Sequence, residues 1–264
     1  MKIALIQPVI VPGDREMNCR KIAKAVRAAA ADGADIAVLP ELWDVSFYPP
    51  DVLNLADAGG EKTKEFLHDL SEACHIQIVG GSVARREGET LYNTTYVFDE
   101  EGNLAASYDK CHLFTPGRED DVFTAGKRLN TFYLGDVPMA SIICYDLRFG
   151  EWVRLAALSG AKILFVPAAW PVERLKHWQI LNQARAIENQ FFVAAVNSCG
   201  SCGAFHFGGH SMLIDPWGEI IEEGGDGEEI ITAEIDLSQV DDIRRQINVF
   251  RDRRTDLYQL EGKR

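Results

Sequence analysis

The sequence predicts one α/β domain of four layers, with two β-sheets stacked face to face and helices covering both outer faces. Apolar stretches alternate between strand and helix periodicity along the 264 residues. The αβ pattern begins twice, and short motifs recur between the two halves. Each half would carry helices on one face of its sheet and leave the other face apolar. Stacking the two sheets buries both apolar faces.

The first half opens as a βαβ unit. An apolar strand near 3–7 precedes an Ala-rich helix near 17–32 and a buried strand at 35–39, which Pro40 ends. A helix and three strands are predicted next, near 61–74, 76–83, 91–98 and 103–109. The acidic stretch 99–102, which ends in glycine, joins the last two strands as a turn.

The second half repeats this order after a loop rich in Gly and Asp. Its predicted elements are a strand 138–143, a helix 149–159, a strand 162–166, a helix 173–189, strands near 191–197, 210–215, 219–223 and 229–235, and a short helix near 238–246. An irregular tail ends the chain.

Two sets of matched positions indicate an internal repeat. Gly33-Ala34, Pro40 and Trp43 recur as Gly160-Ala161, Pro167 and Trp170 at an offset of 127 residues. Thr95, Asp99, Gly102 and Leu104 correspond to Ser211, Asp215, Gly218 and Ile220 at an offset of 116 residues. The same order in both halves indicates two copies of one αβ unit.

Composition narrows the classes of function. The 27 Lys and Arg against 40 Asp and Glu give a net charge of −13, which would repel nucleic acid and anionic lipid. No apolar run approaches the roughly 20 residues that span a bilayer, and residues 1–8 are too short for a signal peptide. The six cysteines are thinly spread, which is typical of a reducing compartment. We therefore expect a cytoplasmic protein that binds neither nucleic acid nor membrane.

One cysteine pair is closely spaced. Cys199 and Cys202 have the spacing of half a zinc site or of a thioredoxin-like motif, but no second pair complements them. We interpret the segment as a Gly/Ser loop and expect no metal.

Three segments place a reactive side chain just past a predicted strand, at the edge where α/β sheets tend to build their sites. They are 39–43 with Glu41, 108–114 with Lys110, and 142–149 with Cys144. Taken singly, such a Glu is usually a solvated loop carboxylate, such a Lys a surface charge and such a Cys a small buried residue, so none of the three is decisive.

Taken together, the three motifs resemble the nitrilase superfamily of carbon–nitrogen hydrolases, whose catalytic triad is Glu-Lys-Cys in that chain order. The resemblance covers essentially the whole chain, and the family fold is the four-layer sandwich. It implies that Glu41, Lys110 and Cys144 form the triad. A second family glutamate stands seven residues before a glycine, which corresponds to Glu119 before Gly126.

The chemistry of these side chains fits those roles. Cys144 would be the nucleophile, and a helix starting beside it should lower the pKa of its thiol. Glu41 would carry protons, while Lys110 and the backbone N–H of Tyr145 would form the oxyanion hole. Glu119 would orient Lys110 or the substrate amide. No nucleotide-binding loop is present, and we expect no cofactor.

Other nucleophilic arrangements fit less well. His112 suggests a Cys-His protease, but no such signature surrounds Cys144. Cys111 neighbours Lys110 on an extended segment and should therefore face away from the site. Asp146 and Arg148 are interpreted as an opposite-charge pair that braces the turn after Cys144.

Further segments resemble the omega-amidase branch, which hydrolyses the terminal amide of short dicarboxylic acid monoamides such as 2-oxoglutaramate. They are 169–171, 177–178, 184–190, 209–211 and 215–218. A nitrilase or an N-carbamoyl amidase is the alternative within the superfamily. A binding protein that has lost turnover is the alternative of a different class, although the complete triad argues against it.

A monoamide acid carries a free carboxylate, for which Arg174 is the candidate partner. The alternative is that Arg174 is an ordinary surface arginine at the start of a helix. Trp43, Phe47, Tyr145 and Trp170 are candidates for the wall of a small apolar pocket.

The tail 244–264 holds seven Lys and Arg against three Asp and Glu, a net of +4 on an acidic chain. Members of the superfamily usually dimerise through helices of the second half, and many use such a tail to reach the partner subunit. The resemblance therefore implies a homodimer of single-domain chains, 1–264, with the tail in the contact; the alternative is a tail folded on its own acidic surface.

Overall fold

Two β-sheets and the helices that flank them account for most of the computed structural model, which describes residues 1–47 and 49–260. The strands in this part are β1 Lys2–Gln7, β2 Ile36–Val38, β3 Asp57–Ala58, β4 Gln77–Val79, β5 Val83–Glu87, β6 Thr90–Phe98, β7 Leu104–Asp109, β8 Thr131–Leu134, β9 Val137–Ser141, β10 Ile163–Ala168, β11 Phe192–Asn197, β12 Cys199–Cys202, β13 Phe205–Gly208, β14 Met212–Ile214, β15 Ile220–Glu223 and β16 Glu229–Glu234. The helices are α1 Arg15–Ala31, α2 Val52–Leu55, α3 Glu61–Cys74, α4 Gly150–Leu158, α5 Leu175–Asn189 and α6 Ser238–Gln246. Short 3₁₀ helices lie at Thr115–Gly117, Glu119–Asp121, Cys144–Arg148 and Val172–Arg174.

Each half of the chain builds most of one sheet, and β16 crosses from the second half to the edge of the first sheet. The first sheet has the order β16-β1-β2-β4-β6-β5-β3, with β7 also paired to β6. The second has the order β15-β14-β11-β10-β9-β8. Both have parallel pairs at the centre. Antiparallel pairs lie toward the edges, except that the edge strand β3 pairs in parallel with β5. The hairpin β12-β13 belongs to neither sheet.

Alternating side chains show how the layers stack. In β1, Ile3 and Leu5 pack between the sheets, whereas Ala4 and Ile6 face the layer of α1 and α3. In β10, Phe165 packs between the sheets and the neighbouring Leu164 and Val166 face the layer of α4 and α5. Because side chains alternate along a strand, a sheet covered on both faces is apolar throughout, as these strands are. The predicted four-layer α-β-β-α sandwich is confirmed.

The repeat predicted from sequence corresponds to matched backbone. Gly33 and Gly160 each follow a helix and have φ of 79° and 97°, the left-handed conformation that glycine adopts at low cost. They place β2 and β10 at equivalent positions in the two sheets, each continuing into a loop that contributes to the site described below.

Several boundaries differ from the prediction. The strand predicted at 76–83 ends at Val79, because the chain reverses at Gly81, where a Cβ would lie 2.1 Å from the carbonyl oxygen of Pro40. The next strand, β5, runs antiparallel to β6 and was not predicted. The short strands β3 and β8 were also missed, since a few residues give too little alternation to recognise.

The tail packs partly on its own subunit. The side chain of Gln190 donates to the carbonyl of Ile247 at 2.8 Å, and the guanidinium groups of Arg154 and Arg244 lie over the ring of Phe250. Farther on, Leu257 and Tyr258 are 70% and 54% exposed. Residues 261–264 of the predicted tail lie outside the described residues. Within the described chain, none of the helices has the length and apolar character needed to cross a bilayer.

Candidate active site

Four reactive side chains converge beyond the ends of strands. Glu41 follows β2, Lys110 follows β7, Cys144 follows β9, and Glu119 begins a 3₁₀ helix in the loop after Lys110. All four are buried. The structure thus brings together the predicted triad and the predicted second glutamate.

Lys110 lies between the two carboxylates. Its Nζ donates to Glu41 Oε1 at 2.7 Å and to Glu119 Oε2 and Oε1 at 2.8 and 3.1 Å. Glu119 is further fixed by the backbone N–H of Phe114, which donates to its Oε2 at 2.6 Å. Glu119 is thus held between the Lys110 ammonium and the backbone of Phe114.

The carboxylates keep Lys110 charged. Burial alone would lower the pKa of the ammonium, but Glu119 and Glu41 together outweigh burial and hold this pKa well above its ordinary value. Burial raises the pKa of the Glu119 carboxyl, an effect that Lys110 opposes. The site holds one cation against two acids.

Cys144 is held in a strained conformation. Its φ is 47°, in the left-handed region that residues other than glycine rarely adopt. The Glu41 carboxylate and the backbone N–H of Ala169 both lie close enough to the thiol to influence its pKa. The same N–H donates to Glu41 Oε2 at 3.0 Å.

The expectation of a lowered thiol pKa was wrong. Burial and the adjacent carboxylate of Glu41 raise the pKa of Cys144 well above its ordinary value, although Lys110 opposes them. The helix that begins at Cys144 is a 3₁₀ helix of five residues, too short for a strong helix dipole. The resting thiol therefore keeps its proton.

Hydrogen bonds and an ion pair restrain the turn that carries Glu41. Leu42 follows it with φ of 48°, and its N–H donates to the hydroxyl of Ser82 at 3.0 Å. The buried Asp44 pairs with Arg15 at 3.0 Å. Burial raises the pKa of Asp44 to about 7 despite that pairing. Contacts on both sides thus fix the segment that carries Glu41.

Asp146 braces the turn after Cys144, as predicted, but Arg148 does not pair with it. The Asp146 carboxylate accepts hydrogen bonds from the backbone N–H groups of Ile143 and His112 at 3.0 and 2.8 Å and from the Tyr108 hydroxyl at 2.7 Å. His112 Nδ1 lies 2.7 Å from the same carboxylate, so this histidine is structural. Arg148 instead lines the cavity described next, with its guanidinium 4.7 Å from the ring of Trp170.

A small, narrow cavity opens onto Cys144. Four of the predicted residues line it, namely Phe47, Tyr145, Trp170 and Arg174, together with Arg148, Phe114, Ala169, Pro171 and Phe205. Trp43 was predicted to line the pocket and does not. Its ring packs between the first sheet and the outer helices, and its Nε1 donates to the carbonyl of Gly80 at 2.8 Å.

Comparison with known proteins decides the family. The family model described as carbon-nitrogen hydrolase matches residues 2–245. The chain belongs to the carbon–nitrogen hydrolase family. The resemblance to the nitrilase superfamily drawn from the three motifs is thereby confirmed.

Two named relatives of this carbon–nitrogen hydrolase are amidases. It is 45% identical over 225 residues to the 2-oxoglutaramate amidase of Bacillus subtilis (strain 168), covering 85% of this chain and 87% of that protein. It is 34% identical over 278 residues to the omega-amidase NIT2 of Homo sapiens, covering 100% of this chain and 98% of that protein. A solved variant of the amidase from Nesterenkonia sp. AN1, in which acrylamide has added to the active-site cysteine, matches with a TM-score of 0.87 at 29% identity over 97% of this chain and 98% of that chain. The protein is therefore an enzyme that acts on non-peptide carbon–nitrogen bonds.

Sequence reasoning missed three features of the hydrolase site. Asn93 lies inside β6 and contacts both glutamates, yet a polar residue within a strand carries no spacing signal. Arg148 was assigned to Asp146 because their charges are opposite and close in sequence. Phe205 reaches the cavity from the hairpin β12-β13, where a loop was expected.

The remaining cysteines lie apart from the reacting groups. Cys199 and Cys202 lie at the two ends of β12, so the segment is a strand and the loop interpretation was wrong. The Cys111 thiol contacts the carbonyls of Asp109 and Arg128, and burial raises its pKa to about 11. Among the described residues, His, Cys, Asp and Glu form no group of three placed to hold a metal ion.

Proposed function

We propose that this hydrolase cleaves the terminal amide of short dicarboxylic acid monoamides, such as 2-oxoglutaramate and 2-oxosuccinamate, to release ammonia and the free acid. Cys144 is the nucleophile, Glu41 the proton carrier, Lys110 and the Tyr145 N–H the oxyanion hole, and Glu119 the residue that orients Lys110. One observation supports this substrate class above the others: two arginines share the cavity with Cys144.

The first half of the reaction forms a thioester. Glu41 accepts the thiol proton as the Cys144 sulfur attacks the amide carbon, and it returns that proton to the departing nitrogen. The carbon–sulfur bond forms, the carbon–nitrogen bond breaks, and ammonia leaves. Among charged side chains, Glu41 acts most strongly on the thiol in the resting site, which favours Glu41 as the acceptor in this first transfer.

The oxyanion that develops on the amide oxygen needs donors in place beforehand. Lys110 supplies a permanent charge because both carboxylates hold its ammonium in position. In the turn that begins at Cys144, the N–H of Asp146 is the first backbone donor, and it bonds to the carbonyl oxygen of Ile143. The N–H of Tyr145 lies one residue earlier and is therefore left for the substrate. A positioned donor of this kind lowers the barrier by about 3–4 kcal/mol.

Water completes the second half of the reaction. Glu41, ionised again after ammonia leaves, removes a proton from water as the water oxygen attacks the thioester carbon. The carbon–sulfur bond breaks, the product carboxylic acid forms, and the proton returns to the Cys144 sulfur.

Two guanidinium groups favour an acidic substrate. Among residues 1–47 and 49–260, no carboxylate forms an ion pair with Arg148 or Arg174, although the chain has a net charge of −13. Burial, helped by the charge of Arg174, lowers the pKa of Arg148. A substrate carboxylate between these groups would relieve their repulsion and direct the amide toward Cys144. Neutral nitriles offer nothing for them to bind.

The decisive experiment measures ammonia release from 2-oxoglutaramate, succinamate, glutamine, an aliphatic nitrile and N-carbamoyl-β-alanine. The proposal expects the first two to give the highest kcat/KM. A nitrile or a carbamoyl compound in first place would contradict the omega-amidase assignment, while leaving the cysteine mechanism intact.

Arg174→Ala is expected to raise KM for 2-oxoglutaramate at least roughly tenfold, about 1.4 kcal/mol, because one partner of the substrate carboxylate is removed. A neutral short-chain amide should be affected little. Steady-state kinetics on both substrates make the comparison.

Lys176→Ala is the matched control, since Lys176 is an exposed cation two residues away that does not line the cavity. Equal losses on the acidic and the neutral substrate in Arg174→Ala would show instead that Arg174 is structural.

The proposal also includes a homodimer of single-domain chains in the cytoplasm, with a small-molecule amide as substrate and neither nucleic acid nor membrane as a partner. Ile180 and Ile187, about two helical turns apart on α5, are 52% and 53% exposed and so form an apolar face on a helix of the second half. Leu257 and Tyr258 of the tail are similarly exposed. Light scattering should give twice the chain mass of 29.4 kDa. A monomer at micromolar concentration would contradict the dimer.

A further inference from the structure

Asn93 lies where the two buried carboxylates meet. Its side chain is fully buried on β6, and Nδ2 donates to Glu41 Oε1 at 2.9 Å and to Glu119 Oε1 at 3.0 Å. The same two oxygens accept from Lys110 Nζ at 2.7 and 3.1 Å. Amide and ammonium nitrogens thus alternate with carboxylate oxygens around a closed ring of four hydrogen bonds.

The chemistry of the ring fixes the orientation of the amide. In the part of the chain that the structure describes, Asn93 Oδ1 is buried without a hydrogen-bond partner. Turning the amide over would place this oxygen against two carboxylates, which repel it. An orphaned buried acceptor is costly, so the two bonds made by Nδ2 must outweigh that cost.

The ring also places two carboxylates beside a single ammonium, which leaves an excess of negative charge. One ammonium can neutralise only one of the two carboxylates, and like charges this close favour protonation of one of them. A second cation would bind both acids but would weaken Glu41 as a base. The neutral amide of Asn93 supplies a donor to each carboxylate and adds no charge.

We propose that Asn93 is a positioning residue for the amidase reaction, which holds Glu41 Oε1 beside Lys110 and places a neutral donor between Glu41 and Glu119. The other oxygen of Glu41 then remains on the Cys144 side of the site, where the Ala169 N–H lies against both groups. The inference rests on the roles proposed for Glu41, Lys110 and Cys144.

The test is the pH profile of kcat/KM for Asn93→Ala and Asn93→Asp. The titratable groups that face the ring are Glu41, Lys110, Glu119 and Cys144, with Arg148 the next cation toward the cavity. Losing the amide donor makes the ionised carboxylates less stable, so they stay protonated to higher pH. The acidic limb should move upward by roughly one pH unit in Asn93→Ala, and farther in Asn93→Asp, which adds a third acid.

Thr95→Val is the matched control. Thr95 lies two residues along β6, is equally buried, and donates its hydroxyl to the carbonyl of Gly81 without touching either carboxylate. It should leave the acidic limb unmoved even if it costs stability. Asn93→Asp has the same shape as the native side chain and keeps the test available if Asn93→Ala does not fold.

A second readout separates this inference from the choice of substrate. The rate at which acrylamide alkylates Cys144 depends on removal of the thiol proton, and its pH profile should show the same upward shift. Lower activity in both Asn93 variants, with both profiles matching those of Thr95→Val, would overturn the positioning role. A failed substrate panel with shifted alkylation profiles would overturn only the substrate assignment.

Discussion

Cys144→Ala should lower kcat by about four orders of magnitude or more while the protein remains folded. The sulfur forms the bond to the substrate, and no neighbouring group can replace it. Alanine tolerates the left-handed backbone at this position about as poorly as cysteine does, so the substitution adds little strain. Ammonia release and thermal unfolding are the two measurements.

Acid quenching of the wild-type reaction gives a direct check. Intact mass should show an adduct equal to substrate minus ammonia, and peptide mapping should place it on Cys144. Cys111→Ala is the control, because its thiol contacts backbone carbonyls outside the site. Turnover by Cys144→Ala, or an adduct on Cys111, would remove Cys144 as the nucleophile.

Glu41→Gln and Lys110→Ala should each lower kcat by about three orders of magnitude, since one carries the protons and the other holds the oxyanion. The double variant should be little worse than either single variant, because the residues act as one unit. Steady-state kinetics of the three proteins provide the test.

The two variants should differ in how much they lower the free energy of unfolding. Lys110→Ala leaves two buried carboxylates without their cation and should lower the free energy of unfolding by about 3–5 kcal/mol. Glu41→Gln removes a charge from a site with an excess of acid and should cost less. Glu228→Gln is the control, since it removes a charge whose partner, Lys21, lies outside the site. Additive kinetic losses would contradict a shared transition state.

The sequence predicted which side chains converge at the candidate site because they follow strands. Glu41, Lys110 and Cys144 each come just after an apolar run, and the layer order followed from two αβ patterns that each leave an apolar face. The sequence did not reveal which side of a loop a side chain takes. Trp43 points toward the helix layer and Phe47, four residues later, toward the cavity.

Contacts between distant segments were harder still to predict. Arg148 and Asp146 separate because the 3₁₀ turn sends the carboxylate toward Tyr108 and the guanidinium toward Trp170. Asn93 became visible only when β6 was seen beside residues 52 positions earlier and 26 positions later. Hydrophobic periodicity contains no information on such a meeting of buried polar groups.

The proton retained by the Cys144 thiol has a consequence for survival of the enzyme between turnovers. Peroxides attack the thiolate form of cysteine, and sulfinic or sulfonic acids formed there are not readily reduced. A buried thiol whose pKa is well above its ordinary value offers oxidants little thiolate. In the proposed reaction Glu41 takes the proton only as an amide carbon is attacked, so the sulfur would be reactive chiefly when substrate covers it. The catalytic cysteine should thus withstand oxidative stress that inactivates enzymes with a permanently ionised thiol.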